Sequence, residues 1–231
     1  VDAESLDFDA VILAGGRSAR LGGVPKQHLT YDGDTLLRRS VAAAGGARVV
    51  VVVGPGEGDL PAGILRCREE PAFSGPAAAI AAGLAELDRT GRPPSRFTLV
   101  LACDMPNSAD AVSALADALL INERAGGNFS SSKQDGVVAV SEDGRLQPLA
   151  GFYSTAALQR SVADLAGKGS LINGSVMALL ASLDVQPVAV PAGSTSDVDT
   201  WDDAAALGVA GRDPISGFRS NAAADDLGGK A

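Results

Sequence analysis

Five consecutive valines, Val49–Val53, constrain this 231-residue chain more than any other feature. A uniform β-branched run has no polar face to offer water. It reads as a strand covered on both sides, the situation of parallel sheets with helices packed above and below. Phe8–Leu13 (FDAVIL) and Phe97–Ala102 (FTLVLA) are two more runs of this kind. Amphipathic helices are expected between them. Asp34 or Thr35 caps one that runs to about Ala44, with Leu37 and Val41 inward. Pro76 opens another, with Ile80, Leu84 and Leu87 on one stripe. Ser108 is the expected cap of a third, with Asp110 in its first turn and Val112, Leu115 and Leu119 inward. The alternation predicts a single-domain, Rossmann-like α/β fold, a mostly parallel central sheet flanked by helices.

In the second half, Gly136–Val140 and Gln147–Ala150 are strand-like around the hairpin signal Glu142-Asp143-Gly144. Ser154 caps a helix carrying Leu158, Val162 and Leu165 on one face. Val185–Val190 is a late strand, and Thr200-Trp201-Asp202-Asp203 opens a final helix with a capping box. Residues 1–210 form the expected domain. From 211 to 231 periodicity is lost, and this tail is expected to be mobile or loosely docked.

Composition excludes several function classes. The net charge of -9 opposes a phosphate backbone over most of the surface, so a general nucleic-acid binder is not expected. With two cysteines and one histidine, His28, a Cys/His zinc site cannot be assembled. Cys67 and Cys103 lie in apolar runs and are expected to be reduced and buried. The first nine residues carry four acids and no base, the wrong charge for a secretory signal. No stretch approaches a membrane span. A cytoplasmic protein is expected.

Three motifs carry chemistry. The first is Leu13-Ala14-Gly15-Gly16-Arg17-Ser18-Ala19-Arg20-Leu21-Gly22-Gly23-Val24-Pro25-Lys26, which begins where the first strand ends. Open α/β sheets bind ligands at that carboxyl edge. Gly15 and Gly16 let backbone N–H groups approach an anion, and Arg17, Arg20 and Lys26 supply cations for a polyphosphate. The spacing is neither that of a Walker A loop nor that of a dinucleotide fingerprint, so an NAD-dependent oxidoreductase is disfavoured. The bland alternative is a glycine-rich turn with solvated arginines. The second motif is Cys103-Asp104-Met105-Pro106, which places a carboxylate just past a strand end, where it could hold Mg²⁺ against triphosphate oxygens. The alternative is that Asp104 helps begin the following helix. The third is Asp197-Val198-Asp199-Thr200. Its two acids precede the helix cap and are free to face a crevice, whereas Asp202 and Asp203 suit a helix N-terminus.

Leu13-Ala14-Gly15-Gly16 followed by Arg20, Gly22 and Lys26 resembles the signature loop of the molybdenum cofactor guanylyltransferases (MobA-type) and related nucleotidyltransferases. Ser74-Gly75-Pro76, Cys103-Asp104-Met105-Pro106, Gln147-Pro148-Leu149 and Asp197-Val198-Asp199-Thr200 are similar too, in family order over roughly residues 8 to 208. The resemblance implies a nucleotidyltransferase fold and transfer of GMP from GTP to molybdopterin with release of pyrophosphate. It also implies transient contacts with proteins of molybdoenzyme assembly. The backbone of Leu13, Ala14 and Gly15 is implied to lie along the nucleoside, with Gly16, Gly54 and Gly75 also binding the nucleotide and Glu69 or Glu70 reading the base. Arg20 and Lys26 are implied to grip the phosphates. Asp104, with Asp197 and Asp199, is implied to hold Mg²⁺. Pro25 stands where the family commonly has an acid, Leu21 replaces a frequent methionine, and Trp201 replaces a proline. Asp197 and Asp199 replace asparagines of the guanylyl branch and resemble the cytidylyl branch. A CTP-dependent or sugar-1-phosphate transferase, and a non-catalytic nucleotide-binding delivery protein, therefore stand as alternatives.

Overall fold

The computed structural model describes residues 6–16, 18–55, 60–124 and 134–211. In chain order the strands are β1 (Phe8–Leu13), β2 (Thr30–Tyr31), β3 (Asp34–Thr35), β4 (Val50–Val53), β5 (Leu65–Cys67), β6 (Phe97–Ala102), β7 (Gly136–Val140), β8 (Leu146–Ser154) and β9 (Val185–Ala189). The α-helices are α1 (Leu36–Ala43), α2 (Pro76–Arg89), α3 (Ser108–Arg124), α4 (Thr155–Gly167), α5 (Val176–Leu180) and α6 (Trp201–Leu207).

Seven strands form one sheet in the order β5-β4-β1-β6-β8-β7-β9, while β2 and β3 make a separate hairpin. The pairings of β1 with β4 and β6, of β4 with β5, and of β7 with β9 are parallel. β8 runs antiparallel between β6 and β7. The valine strand is buried at all four of its residues, as a strand covered on both faces must be. One face packs on α1 and α3 through a cluster including Ile12, Val41, Leu99 and Leu115. The other packs on α2, α4 and α5 through Val11, Ile80, Leu84 and Leu158. A third, small cluster of Leu21, Leu29, Leu36, Val198, Ala204 and Val209 lies off the sheet.

The chain leaves β1 toward β4 and β5 on one side, then returns through α2 to β6 on the other. The strand order therefore reverses beside β1, and a crevice opens at the carboxyl ends of β1 and β6.

The helix starts follow their capping chemistry. Thr35 accepts from the Arg38 N–H, Ser154 from the Ala157 N–H, and Thr200 and Asp203 complete a capping box. Ser108 differs from expectation. It is the first residue within α3, it is buried, and its hydroxyl has no hydrogen-bond partner among the described residues. Cys103 is buried as expected, but Cys67 is only half-buried because β5 is the sheet edge. β8 is longer than Gln147–Ala150 and runs straight into α4. The tail from 212 to 231 lies outside the described residues.

Gly83 on α2 lies directly over the sheet. A Cβ there would sit 2.5 Å from Val11 Cγ1 and 3.1 Å from Val53 Cγ2. Alanine gains about 1 kcal/mol in helix propensity, but overpacking costs roughly 1–3 kcal/mol. Both valines are fully enclosed, so the overpacking wins. Gly83→Ala is expected to lower stability by about 1 kcal/mol in urea titration, the balance of those two effects. A gain would show that α2 shifts freely on the sheet.

Candidate active site

The crevice holds a cavity of about 340 Å³. Its floor is the end of β1 and the loop that follows, Leu13, Ala14, Gly15 and Gly16, with Lys26 and Gln27 from the turn beyond. Ala102, Cys103 and Asp104 at the end of β6 form one side, and Glu69, Phe73, Gly75, Pro76 and Ala79 another. The Leu13 carbonyl accepts from the Cys103 N–H at 3.0 Å, and the Ala14 N–H donates to the Val53 carbonyl at 2.8 Å. The loop therefore leaves a pinned strand end.

Of the residues read from the sequence, Leu13, Ala14, Gly15, Gly16, Lys26, Glu69, Gly75 and Asp104 line the cavity. Arg20, Gly54, Glu70, Asp197 and Asp199 do not. Gly54 is packed away from the cavity; a Cβ would lie 2.8 Å from the Ala14 carbonyl carbon, so glycine is needed for the close approach of two strand ends. Glu70 is exposed, whereas Glu69 is 7% exposed and its Oε1 accepts from the Phe73 N–H at 2.8 Å. Of the pair, Glu69 is the one that lines the cavity. Arg17 lies outside the described residues. His28 follows Lys26 in a short 3₁₀ turn and does not line the cavity.

At the mouth, three segments distant in sequence meet. Asp104, Asp197 and Asp199 each present a carboxylate oxygen within 4.8 Å of the others. Lys26 Nζ donates to Asp104 Oδ2 at 2.9 Å and to Asp199 Oδ1, and Arg20 pairs with Asp199 at 3.2 Å. The local cause is Val198. It is fully buried in the third cluster, and its N–H donates to the Asp104 carbonyl at 3.1 Å. An extended segment alternates its side chains, so burying Val198 turns Asp197 and Asp199 outward on either side of it.

Burial pulls the Lys26 pKa down, but the charges and hydrogen bonds of Asp104 and Asp199 outweigh it and hold the ammonium above its ordinary value. The Asp197 carboxyl is raised as well. Desolvation is the larger cause, followed by repulsion from Asp104 and Asp199. Burial also raises the Cys103 thiol, so it is not a nucleophile at neutral pH. Three convergent carboxylates are a hard-oxygen donor set that suits Mg²⁺ or Mn²⁺ and not a thiophilic metal.

Phe73, Gln27, Ser18 and Leu149 also line the cavity, and no spacing in the sequence gives them a role there. Leu149 belongs to the Gln147-Pro148-Leu149 motif. Gln27 and Ser18 are ordinary polar residues with no spacing signal. Phe73 is a lone aromatic ahead of Ser74-Gly75-Pro76.

A mostly parallel sheet with a glycine-rich loop after β1 and a carboxylate after β6 fits the nucleotidyltransferase fold that the sequence motifs resemble. Residues 10–191 match the model of the MobA-like NTP transferase domain, and the chain belongs to that family. Solved structures agree on the fold. The molybdopterin-guanine dinucleotide biosynthesis protein A of Archaeoglobus fulgidus superposes with a TM-score of 0.59 at 17% identity, over 86% of this chain and 96% of that one. The 2-C-methyl-D-erythritol 4-phosphate cytidylyltransferase of Thermus thermophilus gives 0.59 at 20%, over 88% and 98%. The Rv0371c protein of Mycobacterium tuberculosis, solved as a manganese complex, gives 0.56 at 19%, over 88% and 98%. Comparison with curated protein sequences gives no significant match. No helix among the described residues is long and apolar enough to cross a membrane.

The raised pKa of Asp197 carries a stability consequence. Its ionised form is disfavoured by folding, so the penalty is fully present above the folded pKa and disappears as pH falls below the unfolded value of about 3.9. Asp197→Asn removes it. Asp197 is exposed, so solvent screens much of the repulsion and the effect is small. The variant is expected to melt about 1–2 °C higher at pH 7 and to lose that advantage in acid. Equal melting temperatures at neutral pH would mean that folding places no penalty on the ionised Asp197 carboxyl.

Proposed function

We propose that this chain is a Mg²⁺-dependent guanylyltransferase that joins GMP from GTP to the terminal phosphate of molybdopterin and releases pyrophosphate. The observation that carries the reading is the meeting of Lys26, Asp104, Asp197 and Asp199 at the mouth of a cavity floored by Leu13–Gly16. That arrangement sets a cation and a metal-competent carboxylate group beside a slot of nucleoside size.

The backbone of Leu13 to Gly16 lies along the nucleoside, and Gly15 and Gly16 offer N–H groups to the phosphates. Glu69 presents a carboxylate in the cavity wall. The Phe73 N–H fixes its orientation without exhausting its acceptor capacity, which suits the N1–H and N2–H₂ donors of guanine. Lys26 and Arg20 neutralise the phosphoryl charge that builds as the acceptor phosphate oxygen bonds to the α-phosphorus and the bond to pyrophosphate breaks in line. Asp104, with Asp197 and Asp199, would hold Mg²⁺, which would supply countercharge to the transferring phosphoryl group. No covalent nucleophile is required, in keeping with the raised Cys103 thiol.

Asp197 and Asp199 favour a second reading within the same chemistry, a cytidylyltransferase, because aspartates at these positions resemble that branch. Pyrophosphate release measured with GTP, CTP and ATP, each with and without molybdopterin, decides between them. Release that requires molybdopterin and prefers GTP supports the proposal. A CTP preference moves the chain to the second reading. Nucleotide binding with no release would point to a delivery protein.

Asp104→Ala is expected to lower turnover about 100-fold or more, the scale of losing one preorganised electrostatic element. Near-normal turnover would remove Asp104 from the metal site. Glu69→Gln is expected to reduce the preference for GTP over CTP about tenfold, the scale of one hydrogen bond to a charged acceptor. An unchanged ratio would place base reading elsewhere.

A further inference from the structure

β8 does not follow its neighbour β7 continuously. Val138 pairs with Gly151, but the next β7 residue, Ala139, pairs with Gln147. Pro148, Leu149 and Ala150 therefore have no partner on β7, although Ala150 stays in register with Leu101 of β6. This is a bulge, the kind of irregularity that re-aims a side chain beside a site. A proline is tolerated there because it has no ladder N–H to lose. The residue it re-aims is Leu149, which lines the cavity.

The bulge is held from behind. Tyr153 is fully buried, and its hydroxyl donates to the Pro148 carbonyl at 2.8 Å. Its place is kept open by Gly151, two residues earlier on the same face of the strand. A Cβ on Gly151 would lie 2.5 Å from the Tyr153 hydroxyl oxygen and 2.6 Å from Cζ. The three residues form one fixture: Gly151 leaves the space, Tyr153 fills it, and Pro148 is tied down.

Its position in the sheet says which part of a bound complex it meets. Glu69 and Phe73 follow β5, on one side of β1 in strand order. Leu149 is on β8, on the other side and beyond β6, whose end carries Asp104. If the base lies against Glu69, the group that meets Leu149 is on the far side of the reacting phosphate.

We propose that Tyr153 is a positioning residue that acts through the Pro148–Ala150 bulge, and that Leu149 forms an apolar wall of the acceptor subsite, contacting the organic body of the phosphorylated acceptor. The assignment of the subsite rests on the placement of the base proposed above. The acceptor class it implies is a phosphate ester with a flat or apolar body next to the phosphate. A purely hydrophilic ester would gain nothing from leucine there.

The test uses Tyr153→Phe, which removes the hydroxyl, and Gly151→Ala, which keeps it but displaces it. Steady-state kinetics with GTP and molybdopterin should show the molybdopterin KM raised about fivefold in each, the scale of one net hydrogen bond, with the GTP KM within about twofold. Leu149→Ala should do the same, and adding Tyr153→Phe to it should produce little further loss, because the two act on one wall. Parallel rises in both KM values, or a double variant whose losses multiply, would overturn the proposal. Failure of the wild-type chain to turn over GTP with molybdopterin would instead overturn the function proposed above. Amide hydrogen exchange separates the two failures, because it needs no substrate. Tyr153→Phe and Gly151→Ala should each speed exchange over residues 146–151 and leave β1 and β4 unchanged. Unaltered exchange in both variants would overturn the fixture whatever the acceptor is.

Discussion

The site depends on one backbone hydrogen bond between segments far apart in the chain, from the Val198 N–H to the Asp104 carbonyl. Without it, the end of β6 would carry a solitary carboxylate. With Val198 buried, the two flanking aspartates have no choice of direction, and the acidic group assembles as a by-product of packing one valine. The basic side is built the same way. Leu21 and Leu29 are buried in the same small cluster as Val198, so the loop that carries Arg20 and Lys26 is docked against the segment that carries the acids. Apolar contacts set the positions, and the charges then pair where they have been put.

The arrangement is tolerated without being optimal for stability. Three carboxylates within 4.8 Å of one another repel, and the raised pKa of Asp197 reflects it alongside desolvation. Lys26 offsets part of this at the cost of its own desolvation. Arg20 adds little, because its side chain is 73% exposed and its pairing is screened by solvent. The excess of negative charge that remains is of the kind that suits a divalent cation.

Much of this is legible in the sequence. Uniform β-branched runs name β1, β4 and β6, because a strand buried on both faces has no polar alternation to confuse it. Glycines and a proline name the loop and the start of α2. The pieces that escape are short or depend on distant partners. β5 has three half-buried residues and no period to read, and β2 and β3 have two each. Ser108 has the right chemistry for a cap, but the chain enters α3 one residue too early for its hydroxyl to serve. In the site, residue types point to Asp104 and Lys26, yet nothing local says that Glu69 and not Glu70 turns inward, or that Gly54 serves strand packing. Those outcomes are set by contacts with the Phe73 N–H and with Ala14.

The off-sheet cluster also bears on how securely the charged groups are held. It joins Leu21, Leu29 and Leu36 to Val198, Ala204 and Val209, and Thr30 exchanges backbone hydrogen bonds with Ala210. These contacts close long loops with few buried side chains, so little apolar burial offsets their closure entropy. Lys26, Asp104 and Asp199 therefore meet over the smallest of the three apolar clusters among the described residues.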